Sequence, residues 1–232
     1  SFLYGSPLLA HKLSKLIPEH KSNFNSKYGF IRGLNSPSEA GHTFRLFLEG
    51  GDRKNFGLIL NTIMIDSNSP IISKNVYNSF RMVAIAKSLS KAVFIVMSRD
   101  SRFVMQSLIR ARRNLYNSDT HWFGLKYSGF EKSLHYNPMI QTGLQIKRTN
   151  DAISTSVKKM NLDKKIFYLS YEKLCNDFRS EMTSLEDFLI SKGVILKRKA
   201  PLESGPFRSQ NIVKLRPNEW NRIERVSKFL KI

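Results

Sequence analysis

The chain has 232 residues, enough for one large domain or two small ones with a core of their own. It carries 38 Lys+Arg against 18 Asp+Glu, a net charge of +20, yet its 41% hydrophobic and 11% aromatic residues exclude a disordered basic tail. The single cysteine, Cys175, excludes a disulfide framework and a cysteine zinc site, and the longest apolar run, near residues 56–65, is too short to span a bilayer.

Leu3, Leu8, Leu9, Leu13 and Leu16 lie on one helical face, interrupted by Gly5 and Pro7, and this opening fits neither a signal nor a transit peptide. Pro70-Ile71-Ile72-Ser73 reads as a short strand, followed by a helix carrying Phe80, Val83, Ala84 and Leu89 inward. Ala92-Val93-Phe94-Ile95-Val96-Met97 is a continuous apolar run, the mark of a strand buried on both faces. It stops at Ser98-Arg99-Asp100, and a helix then sets Phe103, Val104, Leu108 and Ala111 inward, with Arg102, Gln106, Arg110 and Arg113 outward.

Residues 114–138 hold Tyr116, His121, Trp122, Phe123, Tyr127, Phe130, His135 and Tyr136 with weak periodicity. They are either a packed irregular connection or an aromatic lid over a site. Ile166-Phe167-Tyr168-Leu169 is another strand, followed by Phe178, Met182, Leu185, Phe188 and Leu189 at helical spacing. The last helix starts near Pro217 and buries Trp220, Ile223, Val226, Phe229 and Leu230.

Strands alternating with helices predict an α/β fold with a mostly parallel sheet. No repeat or low-complexity linker interrupts the chain, so residues 1–232 read as a single domain.

In open α/β sheets, ligands bind beyond the carboxyl ends of the strands. Arg99 sits at such an end, and Ser107 follows about 9 Å along the next helix if that helix starts near Ser101. A planar guanidinium and a hydroxyl can grip one anion between them. The competing reading pairs Arg99 with Asp100 or another carboxylate. No paired metal-ligand spacing joins His11, His20, His42, His121 and His135, and no metal is expected.

Three segments in order resemble one family. Ser73-Lys74-Asn75 followed by residues 94–108 is similar to the core of the sulfotransferases that use 3′-phosphoadenosine 5′-phosphosulfate (PAPS). Residues 166–174, ending Tyr171-Glu172-Lys173-Leu174, resemble the family's later strand and turn, and Phe207-Arg208-Ser209-Gln210 resembles its late basic loop. The chain departs from the pattern at Ser101, where the family has proline, and lacks the family's phosphosulfate loop. Ser1-Phe2-Leu3-Tyr4 resembles the segment just after that loop, so the first strand and the loop are expected upstream of Ser1.

The resemblance implies a three-layer, P-loop-like fold in which helices flank a mostly parallel central sheet. It implies that Arg99, Ser107, Arg208 and Ser209 hold the 3′-phosphate of PAPS (its product is adenosine 3′,5′-bisphosphate, PAP) and that Tyr171 lies against the adenine. The reaction implied is sulfuryl transfer to a hydroxyl or amine of an acceptor, for instance a carbohydrate. Glu39 is the first candidate base and His42 the second, with Glu19 and His20 behind them, and Lys74 would stabilise the sulfate or the leaving phosphate. Glu39 also reads as a first-turn residue of a helix capped by Ser36 or Ser38, and Lys74 as a solvated lysine.

The spread of the remaining positive charge leaves room for an acidic acceptor and argues against one nucleic-acid stripe. The alternatives are a basic nucleic-acid-binding protein and a non-catalytic anionic-glycan-binding relative of the same fold. A single cysteine and no visible signal fit a cytoplasmic protein.

Overall fold

The computed structural model describes residues 41–51, 53–195 and 207–232, which fall in two compact units, Ser1–Lys91 and Ala92–Ile232. Glu39, Glu19, His20 and the leucine-bearing opening lie outside the described residues.

The described part of the first unit is helical: α1 (Gly41–Glu49), α2 (Arg53–Ser67) and α3 (Asn78–Ser88). Phe56 of α2 is fully buried, with the α1 rings of Phe44 and Phe47 at 5.0 and 6.1 Å. Gly57 lets α2 approach the end of α3, since a Cβ there would stand 3.0 Å from the Ser88 carbonyl oxygen. The α3 face differs from the expected one by about one residue. Arg81, Met82 and Ile85 are buried, whereas Phe80 is exposed. Arg81 lies on the inward face, where its Nε donates to Glu49 Oε1 at 2.7 Å while the Glu49 carboxylate stays exposed.

The strand expected at Pro70–Ser73 does not form a ladder; residues 70–75 are irregular and Ile72 is 89% exposed. Pro70 has no N–H to donate, and a short apolar run becomes a strand only where a neighbour pairs with it.

The second unit contains β1 (Phe94–Ser98), α4 (Ser101–Tyr116), a 3₁₀ turn (Phe130–His135), α5 (Pro138–Met160), a second 3₁₀ turn (Asp163–Lys165) and β2 (Ile166–Ser170), then α6 (Tyr171–Asn176), α7 (Phe178–Ser191) and α8 (Pro217–Leu230). The two strands pair in parallel, Phe94 opposite Ile166 through Ser98 opposite Ser170. Parallel partners need a crossover, and α4 with α5 supplies it. The protein is therefore a helix-rich α/β structure with a small parallel sheet. β1 is not buried on both faces, for Ile95 and Met97 are exposed among the described residues, whose sheet has two strands.

Met105 of α4, Met139 of α5 and Ile223 of α8 form a buried cluster, joined by Ile146, Leu215, Trp220 and Val226. Gly143 brings α5 onto α8, where a Cβ would lie 2.7 Å from Leu230 Cδ1 and 2.9 Å from Val226 Cγ1. Phe229, expected in the buried stripe of α8, is 85% exposed, because Ile223 and Ser227 set the helix's inward face. On the other side, Phe167 of β2 meets Phe188 of α7 at 5.4 Å.

Among the described residues, no helix is long and apolar enough to cross a membrane.

Candidate anion site at the strand ends

β1 and β2 end side by side at Ser98 and Ser170, so the residues just beyond each strand are neighbours. After β1, Asp100 caps α4, its carboxylate accepting from Arg102 N at 2.9 Å. Arg102 also grips that carboxylate through its side chain (Nη2–Oδ2 2.6 Å). The side-chain bond from Arg102 therefore holds the Asp100 carboxyl below the usual range, against the opposing effect of burial. Asp100 is thus taken by Arg102, and Arg99 is left to other partners.

Arg99 turns toward the start of α6 and the late loop. Its guanidinium carbon lies 4.5 Å from the centre of the Tyr171 ring. Its Nε donates to Asn211 Oδ1 at 2.7 Å and its Nη2 to the Gln210 carbonyl oxygen at 3.1 Å. A guanidinium has five N–H donors. Two are used here, so three remain open among the described residues, at the Nη1 and Nη2 ends of the fork.

The Tyr171 hydroxyl accepts from Gln210 N at 2.8 Å. Ser209 Oγ accepts from Asn211 N at 3.2 Å, and the Arg208 carbonyl oxygen accepts from Gln210 Nε2 at 3.4 Å. The structure therefore brings together Arg99, Tyr171 and the loop carrying Arg208 and Ser209, all in the second unit. No described carboxylate pairs with Arg99 or Arg208. Ser107 is exposed in the second turn of α4, and its hydroxyl makes no hydrogen bond to a described residue.

Three contributors escape a reading of the sequence. Gln106, expected outward, is 4% exposed. Its Nε2 donates to the Ile212 carbonyl oxygen at 2.9 Å, and its Oε1 accepts from Lys214 N at 2.6 Å and Leu215 N at 3.2 Å. It thus fixes residues 212–215 against α4, one position from Ser107. Glu172 accepts from Asp100 N at 2.9 Å and Asn211 Nδ2 at 2.8 Å, and from Ser170 Oγ at 3.1 Å. Burial pushes its carboxyl up, but these donors outweigh burial and hold it below the usual range. Asn211 is the third. Glu172 stands within the Tyr171-Glu172-Lys173-Leu174 turn, but its role there, like those of Gln106 and Asn211, has no signal in the sequence.

The candidate catalytic residues belong to the first unit. His42 falls in the first turn of α1, Lys74 stands exposed in the irregular stretch 70–75, and Glu39 lies outside the described residues. Among the described residues, no group of His, Cys, Asp and Glu is placed to hold a metal ion.

The aromatic segment after α4 is packed on itself. Trp122 meets Phe130 at 5.1 Å and Tyr127 at 6.0 Å, and the buried Arg112 guanidinium lies 5.2 Å from the Trp122 ring centre. Arg112 Nη1 donates to Gln141 Oε1 at 2.7 Å, tying the segment to α5.

Comparison with curated proteins gave no match, and neither did comparison with solved structures. The model of the sulfotransferase family matches residues 23–191, which run from before α1 to the end of α7 and include Lys74, Arg99, Ser107 and Tyr171. That span is well over half of the chain, and on it the chain belongs to the sulfotransferase family.

Proposed function

We propose that the protein transfers a sulfuryl group from PAPS to a hydroxyl or amine of an acceptor, and that Arg99 is the centre of its 3′-phosphate site. One observation carries this reading: Arg99 lies on Tyr171 beyond the carboxyl ends of two parallel strands, with three N–H donors open among the described residues and none of its donors taken by a described carboxylate. A phosphate suits that donor set, because a guanidinium offers two parallel bonds to its oxygens. Ser107, Arg208 and Ser209 would add donors, and the Tyr171 ring would lie against the adenine. When bound, PAPS supplies the activated sulfuryl group.

The chain's own residues do the rest. Glu39, or His42 in its place, takes the acceptor's proton, and the Lys74 ammonium offers positive charge to the developing negative charge. Residues 1–232 would belong to a single sulfotransferase-like domain of three-layer, P-loop-like fold, and the packed aromatic segment at residues 114–138 would border the acceptor. The high positive charge favours an acidic acceptor, such as a carboxylated or already sulfated glycan.

The test is transfer of labelled sulfate from PAPS to a panel of neutral and acidic glycans by the full-length protein. The expected result is label on at least one acidic member, lost in Arg99→Ala. A protein that binds the glycans but leaves PAPS intact would favour the non-catalytic relative.

A further inference from the structure

Arg99 is held by more than its ring contact. Its Nε donates to Asn211 Oδ1 (2.7 Å), Asn211 Nδ2 donates to Glu172 Oε1 (2.8 Å), and the same Glu172 oxygen accepts from the backbone N of Asp100 (2.9 Å), the residue after Arg99. The chain of bonds therefore leaves the Arg99 side chain and returns to the Arg99–Asp100 peptide, closing a ring.

Each member of this ring has one workable orientation. Flipping the Asn211 amide would face its NH₂ to the Arg99 Nε–H and its oxygen to the Glu172 carboxylate, a donor against a donor and an acceptor against an acceptor. Glu172 Oε1 accepts from both sides, from Asn211 Nδ2 and from Asp100 N, and these donors hold its carboxyl below the usual range. Tyr171, one residue before Glu172, closes the face of the guanidinium and holds Gln210 N through its hydroxyl. The Gln210 carbonyl oxygen then takes one Nη2 donor. With Nε, one Nη2 donor and one face occupied, the guanidinium plane is fixed and the Nη1–Nη2 edge stays open.

We infer that Asn211 and Glu172 are positioning residues that aim the Nη1–Nη2 edge of Arg99 at the phosphate it binds. The inference rests on the assignment of Arg99 to the 3′-phosphate site. An arginine side chain has much rotamer freedom to lose, and a guanidinium already fixed loses less of it on binding. The relay lowers that cost without touching the ligand. The net charge of the ring is zero, −1 on Glu172 and +1 on Arg99. Yet Glu172 meets Arg99 through a neutral amide, so no described carboxylate competes with the incoming phosphate for the donors.

The test is a double-mutant cycle read by calorimetry on the full-length protein, with adenosine 3′,5′-bisphosphate and adenosine 5′-monophosphate as probes. Asn211→Ala should weaken the bisphosphate roughly 5- to 10-fold and leave the monophosphate unchanged. In an Arg99→Ala background the same change should cost nothing further, because the residue acts only through Arg99. Glu172→Met keeps the length of the side chain but removes the oxygen that accepts from Asn211 and Asp100 N, and should give the same selective loss; it serves if Asn211→Ala folds poorly. Asn211→Ala and Glu172→Met proteins that bind the bisphosphate as the wild type does, or losses that add to that of Arg99→Ala or extend equally to the monophosphate, would overturn the inference. A wild type whose bisphosphate affinity is unaltered by Arg99→Ala would instead overturn the phosphate-site assignment itself.

Discussion

The guanidinium of Arg99 lies 4.5 Å from the centre of the Tyr171 ring, one residue at the end of β1 and the other at the start of α6. The contact exists because β1 and β2 run parallel and end in register, Ser98 beside Ser170. A cation over an aromatic face is worth about 0.5–2 kcal/mol, and here it also sets which edge of the guanidinium remains open.

The two parts of Tyr171 should separate by mutation. Tyr171→Phe keeps the ring under Arg99 and loses the bond to Gln210 N, so bisphosphate affinity should fall only about 2- to 5-fold. Tyr171→Leu removes the aromatic face as well and should cost at least tenfold. Equal losses in the two variants, measured by calorimetry, would contradict the role given to the ring.

Gln106 is predicted to be a stability residue of the late loop. Gln106→Leu strands Lys214 N, Leu215 N and the Ile212 carbonyl oxygen, and each unsatisfied backbone group costs about 1–3 kcal/mol unless water reaches it. Limited proteolysis should cut near residues 207–216 much faster in the variant than in the wild type. An unchanged cleavage pattern would refute it.

The α5–α8 contact depends on Gly143. Gly143→Val should destabilise the protein by about 1–3 kcal/mol in denaturant unfolding, since its branches would press on Val226 and Leu230. Adding Val226→Ala should restore part of that loss. A double variant no better than Gly143→Val would show that the clash lies elsewhere.

Acid should unfold the protein through identified carboxylates. Bonds from Arg113 hold the Asp119 and Glu219 carboxyls below their usual range. A depressed folded pKa contributes stability that is present above the unfolded value, 3.8 for Asp and 4.5 for Glu, and is lost as pH falls through the folded value. Arg113→Met should therefore lower stability near pH 6 and cost much less near pH 3 in denaturant unfolding. An equal deficit at both pH values would contradict this origin.

The parts of the fold legible in the sequence are those in which local chemistry and tertiary structure agree. β1 and β2 stand within two residues of the apolar runs that mark them, and Pro217 opens α8 as its fixed φ suggests. α5 escapes such a reading, although Asn137 caps it, Pro138 opens it and Asn161 ends it in the left-handed region. Its inward face holds Gln141, Thr142, Gly143, Gln145 and Ser156, so hydrophobic periodicity cannot reveal it. The same limit hides Gln106 and the burial of Arg112, polar side chains whose partners come from distant segments. At the site, Arg99, Tyr171 and the 207–210 loop are legible as motif residues. The roles of Asn211 and Glu172 are not, although Glu172 falls within the Tyr171–Leu174 turn, because they are defined only by the closed ring that the fold assembles.

The most direct test of the central claim is calorimetric titration of adenosine 3′,5′-bisphosphate into the full-length protein and its Arg99→Ala variant. Binding by the wild type, weakened at least about 30-fold in the variant while adenosine 5′-monophosphate binds both alike, is the predicted result, in line with a lost bidentate charge-assisted pair. Absence of binding by the wild type, or equal affinity in the variant, would contradict it.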